Sequence, residues 1–207
     1  IGHDLQNIGF TGETEVIFPK PQNVQSESFF QVSFLSSSLF GFHSPNTASA
    51  LSSEYTFQAN DISAQLYSVR TSVGSSDAFF LLSASFGTGD DVIITSDPGV
   101  YDNTKWNFAV SVKPDKFGLA DEVAGTSGGT YTLQLYAVRK ELDIVVDSFT
   151  LTESLSNAQG KNIASSPKRY YAGAHRTNFT GTVQTSTDVK IGSVRHWMLP
   201  LDTGVID

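Results

Sequence analysis

The chain has no cysteine and a single methionine, Met198, in its 207 residues. Without thiols there is no disulfide framework and no thiol chemistry, so stability must come from packing alone. A chain of this length can bury a core large enough to do that. No apolar run approaches the roughly 20 residues of a membrane span, and no signal-peptide pattern is visible, so membrane insertion is not expected. The phosphate-cradling loop of nucleotide enzymes is also missing: Gly125–Gly129 has neither the lysine nor the strand-turn-helix context. The four histidines, His3, His43, His175 and His196, are dispersed and show no metal-binding spacing. Serine is too abundant for any Ser-His-Asp arrangement to be singled out.

Charge is scarce and unevenly placed. Residues 1–160 carry 7 Lys/Arg against 18 Asp/Glu, and residues 161–207 carry 6 against 3. An acidic bulk with a net charge of −8 argues against nucleic acid as the main partner. The mildly basic tail reads as a solvated face or a local docking surface. The chain opens on Ile1 rather than Met, which reads as an excerpt of a longer polypeptide.

What the sequence does have is alternation with period two. Ser28–Leu35, Tyr55–Ala59, Ala64–Val69, Ala78–Phe86, Asp91–Thr95, Lys105–Val112, Thr130–Val138, Leu142–Thr150, Arg169–Ala172 and Val189–Met198 all predict strands, and Glu15–Phe18 joins them. Fifteen Phe and seven Tyr sit mostly in these runs, where aromatic side chains fit a pleated, half-buried surface. Turn clusters separate them at Ser44-Pro45-Asn46, Gly87–Asp90 and Asp97-Pro98-Gly99. The Ser-rich stretch Ser36–Ser53 reads as a long connection. No segment shows helical periodicity, except that Asp202 can cap a short helix after Leu201. Such a chain predicts an all-β, two-sheet antiparallel sandwich forming a single domain over 1–207. Trp106, Phe108 and Val110 fall on one strand face and are expected in the core, as is Trp197.

Several motifs resemble laminin-G-like domains, in order along the chain. Asn103–Val110 matches a Trp before a core strand, and Thr132–Val138 a strand with an apolar-Tyr-apolar centre. Ala172-Gly173-Ala174, Phe179-Thr180-Gly181, Asp188–Trp197 and Leu201–Ile206 resemble the family's late strand, closing strand and short helix. More narrowly, Leu39–His43, Gly173–Gly181 and Arg195-His196-Trp197 look like the laminin-G-like domains in large structural proteins of marine bacteriophages. The resemblance implies a jelly-roll sandwich of the concanavalin-A-like kind. It also implies a virion surface or extracellular setting, with neighbouring copies or other proteins of an assembly as partners.

Three constellations are candidates for chemistry. Glu141, Asp143 and Asp147 resemble the catalytic strand of family-16 glycoside hydrolases. Retaining cleavage needs carboxyls about 5–5.5 Å apart, whereas Glu141 and Asp147 on one strand would stand about 20 Å apart. They are read as a solvated acidic face. Asp90, Asp91 and Asp97 form an acidic, Gly-bearing rim that could supply oxygens to calcium, although no fixed ligand spacing is present. His175, Arg176 and Asn178, flanked by Tyr170 and Tyr171, offer directional donors for sugar hydroxyls, carboxylates or a partner's acidic surface. One of the two tyrosines is expected to face outward. Asn178-Phe179-Thr180 also fits a glycosylation acceptor.

The expected function is a non-enzymatic virion structural or adhesion module that mediates assembly contacts and binds surface glycans. The alternatives are a calcium-assisted lectin-like domain of a secreted or surface protein and, more remotely, a glycoside hydrolase.

Overall fold

A computed structural model describes residues 8–20, 35–44, 61–72, 74–85, 90–97, 99–115, 129–176, 183–185 and 187–206. In chain order its elements are β1 (Phe10–Phe18), β2 (Ser36–Ser44), β3 (Ile62–Arg70), β4 (Ala78–Ser85), β5 (Asp90–Asp97), β6 (Thr104–Pro114), β7 (Tyr131–Glu141) and β8 (Ile144–Leu155). Helix α1 (Asn157–Ser165) follows, then β9 (Arg169–Ala172), β10 (His175–Arg176), β11 (Val183–Thr185), β12 (Lys190–Trp197) and helix α2 (Thr203–Ile206). One five-stranded sheet has the order β12-β1-β6-β7-β8 and the other β5-β4-β3-β2-β9, while β10 and β11 form a separate hairpin. Among the described residues every strand pairing is antiparallel. The protein is an all-β sandwich of two antiparallel sheets.

Alternation builds the core. In β4, Ala78, Phe80, Leu82 and Ala84 are buried while the residues between them are half-buried. From the facing sheet Trp106, Phe108 and Val110 point inward, as their spacing predicts. Phe80 meets Phe108 edge-on at 4.8 Å and Trp106 at 5.4 Å between ring centres, and Phe18 meets Tyr101 at 5.1 Å. Edge-to-face pairs of this kind add about 0.5–1.5 kcal/mol each beyond the area they bury.

A buried ion pair ties the two sheets together at one end. Arg70, the last residue of β3, donates to Asp188, just before β12, and both side chains are 2–3% exposed. Ser37 Oγ donates to Asp188 Oδ1 at 2.6 Å and the Tyr101 hydroxyl does so at 3.2 Å. The Arg70 guanidinium lies 4.4 Å from the centre of the Tyr101 ring. Charges taken out of water persist only with partners of this quality.

Four expectations need correction. The first half of the Ser-rich stretch is strand β2 rather than a connection. Ser37 and Ser38 are fully buried, and a register shift between Ser38 and Phe40 places both Leu39 and Phe40 in the core, which breaks the alternation. Helix α1 was missed because its apolar content is low; it is announced by a capping box, Ser156 with Gln159, in which each side chain bonds the other's backbone N–H. Leu142 does not begin a strand. With Asp143 it forms a two-residue turn in which both residues have positive φ, 51° and 66°. Trp197 is 39% exposed, because edge strand β12 turns it to the outer side of its sheet, opposite Thr11. The short helix expected after Leu201 is α2, whose Val205 N–H bonds to the Asp202 carbonyl at 2.9 Å. The predicted strand at 55–59 and all but the last residue of the one at 28–35 lie outside the described residues.

Candidate functional site: the outer face of the second sheet

The strand registers decide which side chains can meet. In β2, Phe40 and Phe42 point into the core, so Gly41 and His43 point outward; their β3 partners are Gln65 and Ser63. In β9, Tyr170 lies opposite Phe42 and Tyr171 opposite Gly41. Tyr170 therefore faces the core, stacking on Phe40 at 5.6 Å, and its hydroxyl bonds His196 Nδ1 at 2.6 Å. Tyr171 shares the outer face with His43, their ring centres 5.9 Å apart. Gly41 between them leaves no room for a side chain, since a Cβ there would lie 2.5 Å from the Ala64 carbonyl oxygen.

The chain then turns at Gly173, φ 70°, and the β10–β11 hairpin passes over this face. It lays the His175 ring against His43, with the two Nε2 atoms 2.5 Å apart and the ring centres 4.7 Å apart. His175 Nδ1 hydrogen-bonds the Tyr67 hydroxyl from β3 at 3.0 Å. Tyr171 closes the cluster, its ring 6.1 Å from that of His175. His43, Tyr171 and Gln65 form a buried floor, while Tyr67, His175 and Arg176 form a half-buried rim.

Electrostatics fit that description. Burial, with His175 alongside, pushes His43 down to about 3, against a smaller opposing pull from Asp61. Burial also lowers His175. Both rings are thus neutral at pH 7, each able to donate at one nitrogen and accept at the other. Burial raises the Tyr67 hydroxyl, and it raises Tyr171 against the opposing pull of Arg169 and Arg176. The Tyr171 hydroxyl therefore sits in the field of two guanidiniums, a local cationic spot on a chain of net charge −8.

Of the residues expected to bind a ligand, His175 and Arg176 stand together on the hairpin. Tyr170 does not join them: adjacent residues of a strand point to opposite faces, and it is Tyr171 that lies beside His175. Asn178 lies outside the described residues. His43, Tyr67 and Gln65 come to the site from distant parts of the sequence and were not foreseen. The only hint was the repeated Phe in Leu39–His43, whose parity sends His43 away from the core. Asp90 and Asp97 are the two ends of β5, some 23 Å apart along the strand, so Asp97 cannot share an ion with Asp90 and Asp91. Among the described residues, no group of three or more His, Asp or Glu is arranged to hold a metal ion. The acidic row is also broken, since Asp143 occupies the hairpin turn and Asp147 lies on the returning strand opposite Arg139.

No protein-family model matches the chain, and no curated protein matches it. Among solved structures it is similar to the CBM2 module of the evolved Dit of Lactobacillus casei BL23 phage J-1, at 12% identity and a TM-score of 0.47. That alignment covers 97% of this chain and 65% of the phage chain, so the protein spans slightly under two thirds of its neighbour's length.

Proposed function

We propose that this chain is a non-enzymatic binding module that recognises acidic glycans at the rim formed by Tyr67, His175 and Arg176, and that it serves as a structural or adhesion module of a virion surface. The observation that carries the reading is the hairpin: it brings His175 and Arg176 over the outer face of the second sheet, beside Tyr67 and above Tyr171. Neutral imidazoles and tyrosine hydroxyls suit sugar hydroxyls, and a guanidinium suits a sugar carboxylate. Rigid sandwiches leave recognition to the loops and hairpins they carry.

The non-enzymatic part rests on the carboxylates. A retaining pair needs two acids converging on one bond, and Glu141, Asp143 and Asp147 are instead distributed around a hairpin turn. The virion setting, the jelly-roll subclass and neighbouring copies as partners rest on the ordered motifs that resemble laminin-G-like domains of phage structural proteins. No helix among the described residues is long and apolar enough to cross a membrane. Calcium at Asp90 and Asp91 stays a separate proposal for the rim at the start of β5, tested by native mass spectrometry with millimolar calcium.

Titration of the protein with sialylated and uronate-containing oligosaccharides tests the binding reading. Arg176→Ala should weaken any binding about tenfold or more while the far-ultraviolet spectrum stays unchanged. Equal affinity in the variant would remove this rim as the site.

A further inference from the structure

Two imidazoles separated by 132 positions in the sequence meet tip to tip on the outer face of the second sheet. His43 is carried by β2, a central strand, and is only 8% exposed; His175 is carried by the short hairpin and is half-buried. Their Nε2 atoms converge, and the outer nitrogen of His175 is held by the Tyr67 hydroxyl at 3.0 Å. When Nδ1–H of His175 donates to that hydroxyl, its Nε2 is left as a free base aimed at His43. A hydrogen bond that fixes one ring nitrogen and frees the other is the usual support of a metal-ligating histidine.

We propose that His43 and His175 bind a divalent transition-metal cation, such as Zn²⁺, Ni²⁺ or Cu²⁺, through their Nε2 atoms, with Tyr67 as the supporting partner of His175. Imidazole ligands select this class of ion over calcium, which takes oxygen ligands. Metal–nitrogen bonds of about 2.0–2.1 Å in a tetrahedral arrangement need the two nitrogens about 3.3 Å apart. The pair must therefore open by under 1 Å. The mobile partner in that motion is His175, on a two-residue strand of a two-stranded hairpin.

Proton accounting is simple. The ring whose Nε2–H joins the pair moves that proton to its Nδ1, and both Nε2 lone pairs then face the ion. Asp61 contributes a negative field at His43. With no third His, Asp or Glu assembled there among the described residues, the remaining coordination positions are left to water or to an oxygen of a ligand on the rim.

The inference is independent of glycan binding, because its test contains no glycan. Untagged protein is titrated calorimetrically with zinc chloride near neutral pH. Wild type should bind one equivalent per chain. His175→Ala should lose that binding, Tyr67→Phe should weaken it about tenfold, and His196→Ala should leave it intact. In a parallel experiment with Cu²⁺, the electron paramagnetic resonance spectrum should show two imidazole nitrogens. Absence of binding in the wild type, or equimolar binding that survives in His175→Ala, would overturn the proposal. His43→Gln provides the second arm: if it folds and binds zinc like wild type, the pair is not the site. His175→Ala, altered only on the peripheral hairpin, keeps the test decisive if His43→Gln does not fold.

Discussion

Tyr170 and Tyr171 are neighbours in the sequence and serve opposite sides of one sheet: the first stacks on Phe40 and bonds the exposed His196 of edge strand β12, the second packs beside His43 and His175 on the outer face. Their phenylalanine variants therefore separate stability from recognition. Tyr170→Phe should cost about 1 kcal/mol, the worth of one hydrogen bond, and leave oligosaccharide affinity unchanged. Tyr171→Phe should weaken binding of acidic oligosaccharides, since it removes the hydroxyl that lies between the fields of Arg169 and Arg176. Urea unfolding and a binding titration on the two proteins check both halves.

The buried pair of Arg70 and Asp188 predicts an asymmetric response. Asp188→Ala removes the carboxylate that faces the buried Arg70 guanidinium and also the acceptor used by Ser37 and Tyr101. The expected loss is roughly 3–5 kcal/mol. Replacing both partners together with Met and Leu should cost much less, because no buried charge is then left alone. Denaturation midpoints of the single and double variants decide it.

At the tip of the β7–β8 hairpin, Leu142 and Asp143 both hold a left-handed backbone, and Leu142 is 97% exposed. Two-residue hairpin turns of this geometry favour Asn-Gly, which carries little steric cost at positive φ. Changing Leu142-Asp143 to Asn-Gly should stabilise the protein by about 1 kcal/mol. A drop in the melting temperature would show that Leu142 makes a contact its exposure does not reveal.

Lys168 sets an alkaline signature. Its ammonium lies 4.4 Å from the centre of the Phe10 ring and donates to the carbonyls of Ala164 and Ser166. Burial lowers it from 10.5 to about 8. Between those values the unfolded chain binds more protons than the folded one, so stability should rise as pH climbs from 8 toward 10. Above 10 the sign reverses, because Tyr67 and Tyr101 are raised by burial and ionise first in the unfolded chain. Lys168→Met should abolish the rise between pH 8 and 10 in urea midpoints, and an unchanged slope would assign it to another group.

The sheets were legible in the sequence wherever one face of a strand was uniformly apolar, as in β4 and in β6 with its Trp106, Phe108 and Val110. Legibility failed where polar residues are buried. Ser37 and Ser38 read as loop, yet both are buried and Ser37 bonds Asp188, a partner 151 residues away that nothing local announces. Helix α1 was readable only through its cap, because its apolar content is too low to set a period. The site was half legible: His175 and Arg176 stood out as a donor-rich cluster, whereas His43 and Tyr67 join them only through strand order. The choice between Tyr170 and Tyr171 depends on register, which a one-residue slip reverses.

The most direct test of the binding reading is a glycan array probed with the purified domain in the presence of chelator, alongside Arg176→Ala. Binding of wild type to acidic glycans, lost in the variant, is the predicted result. An array that stays silent for wild type, or acidic-glycan binding that persists in Arg176→Ala, would contradict recognition at the Tyr67, His175 and Arg176 rim.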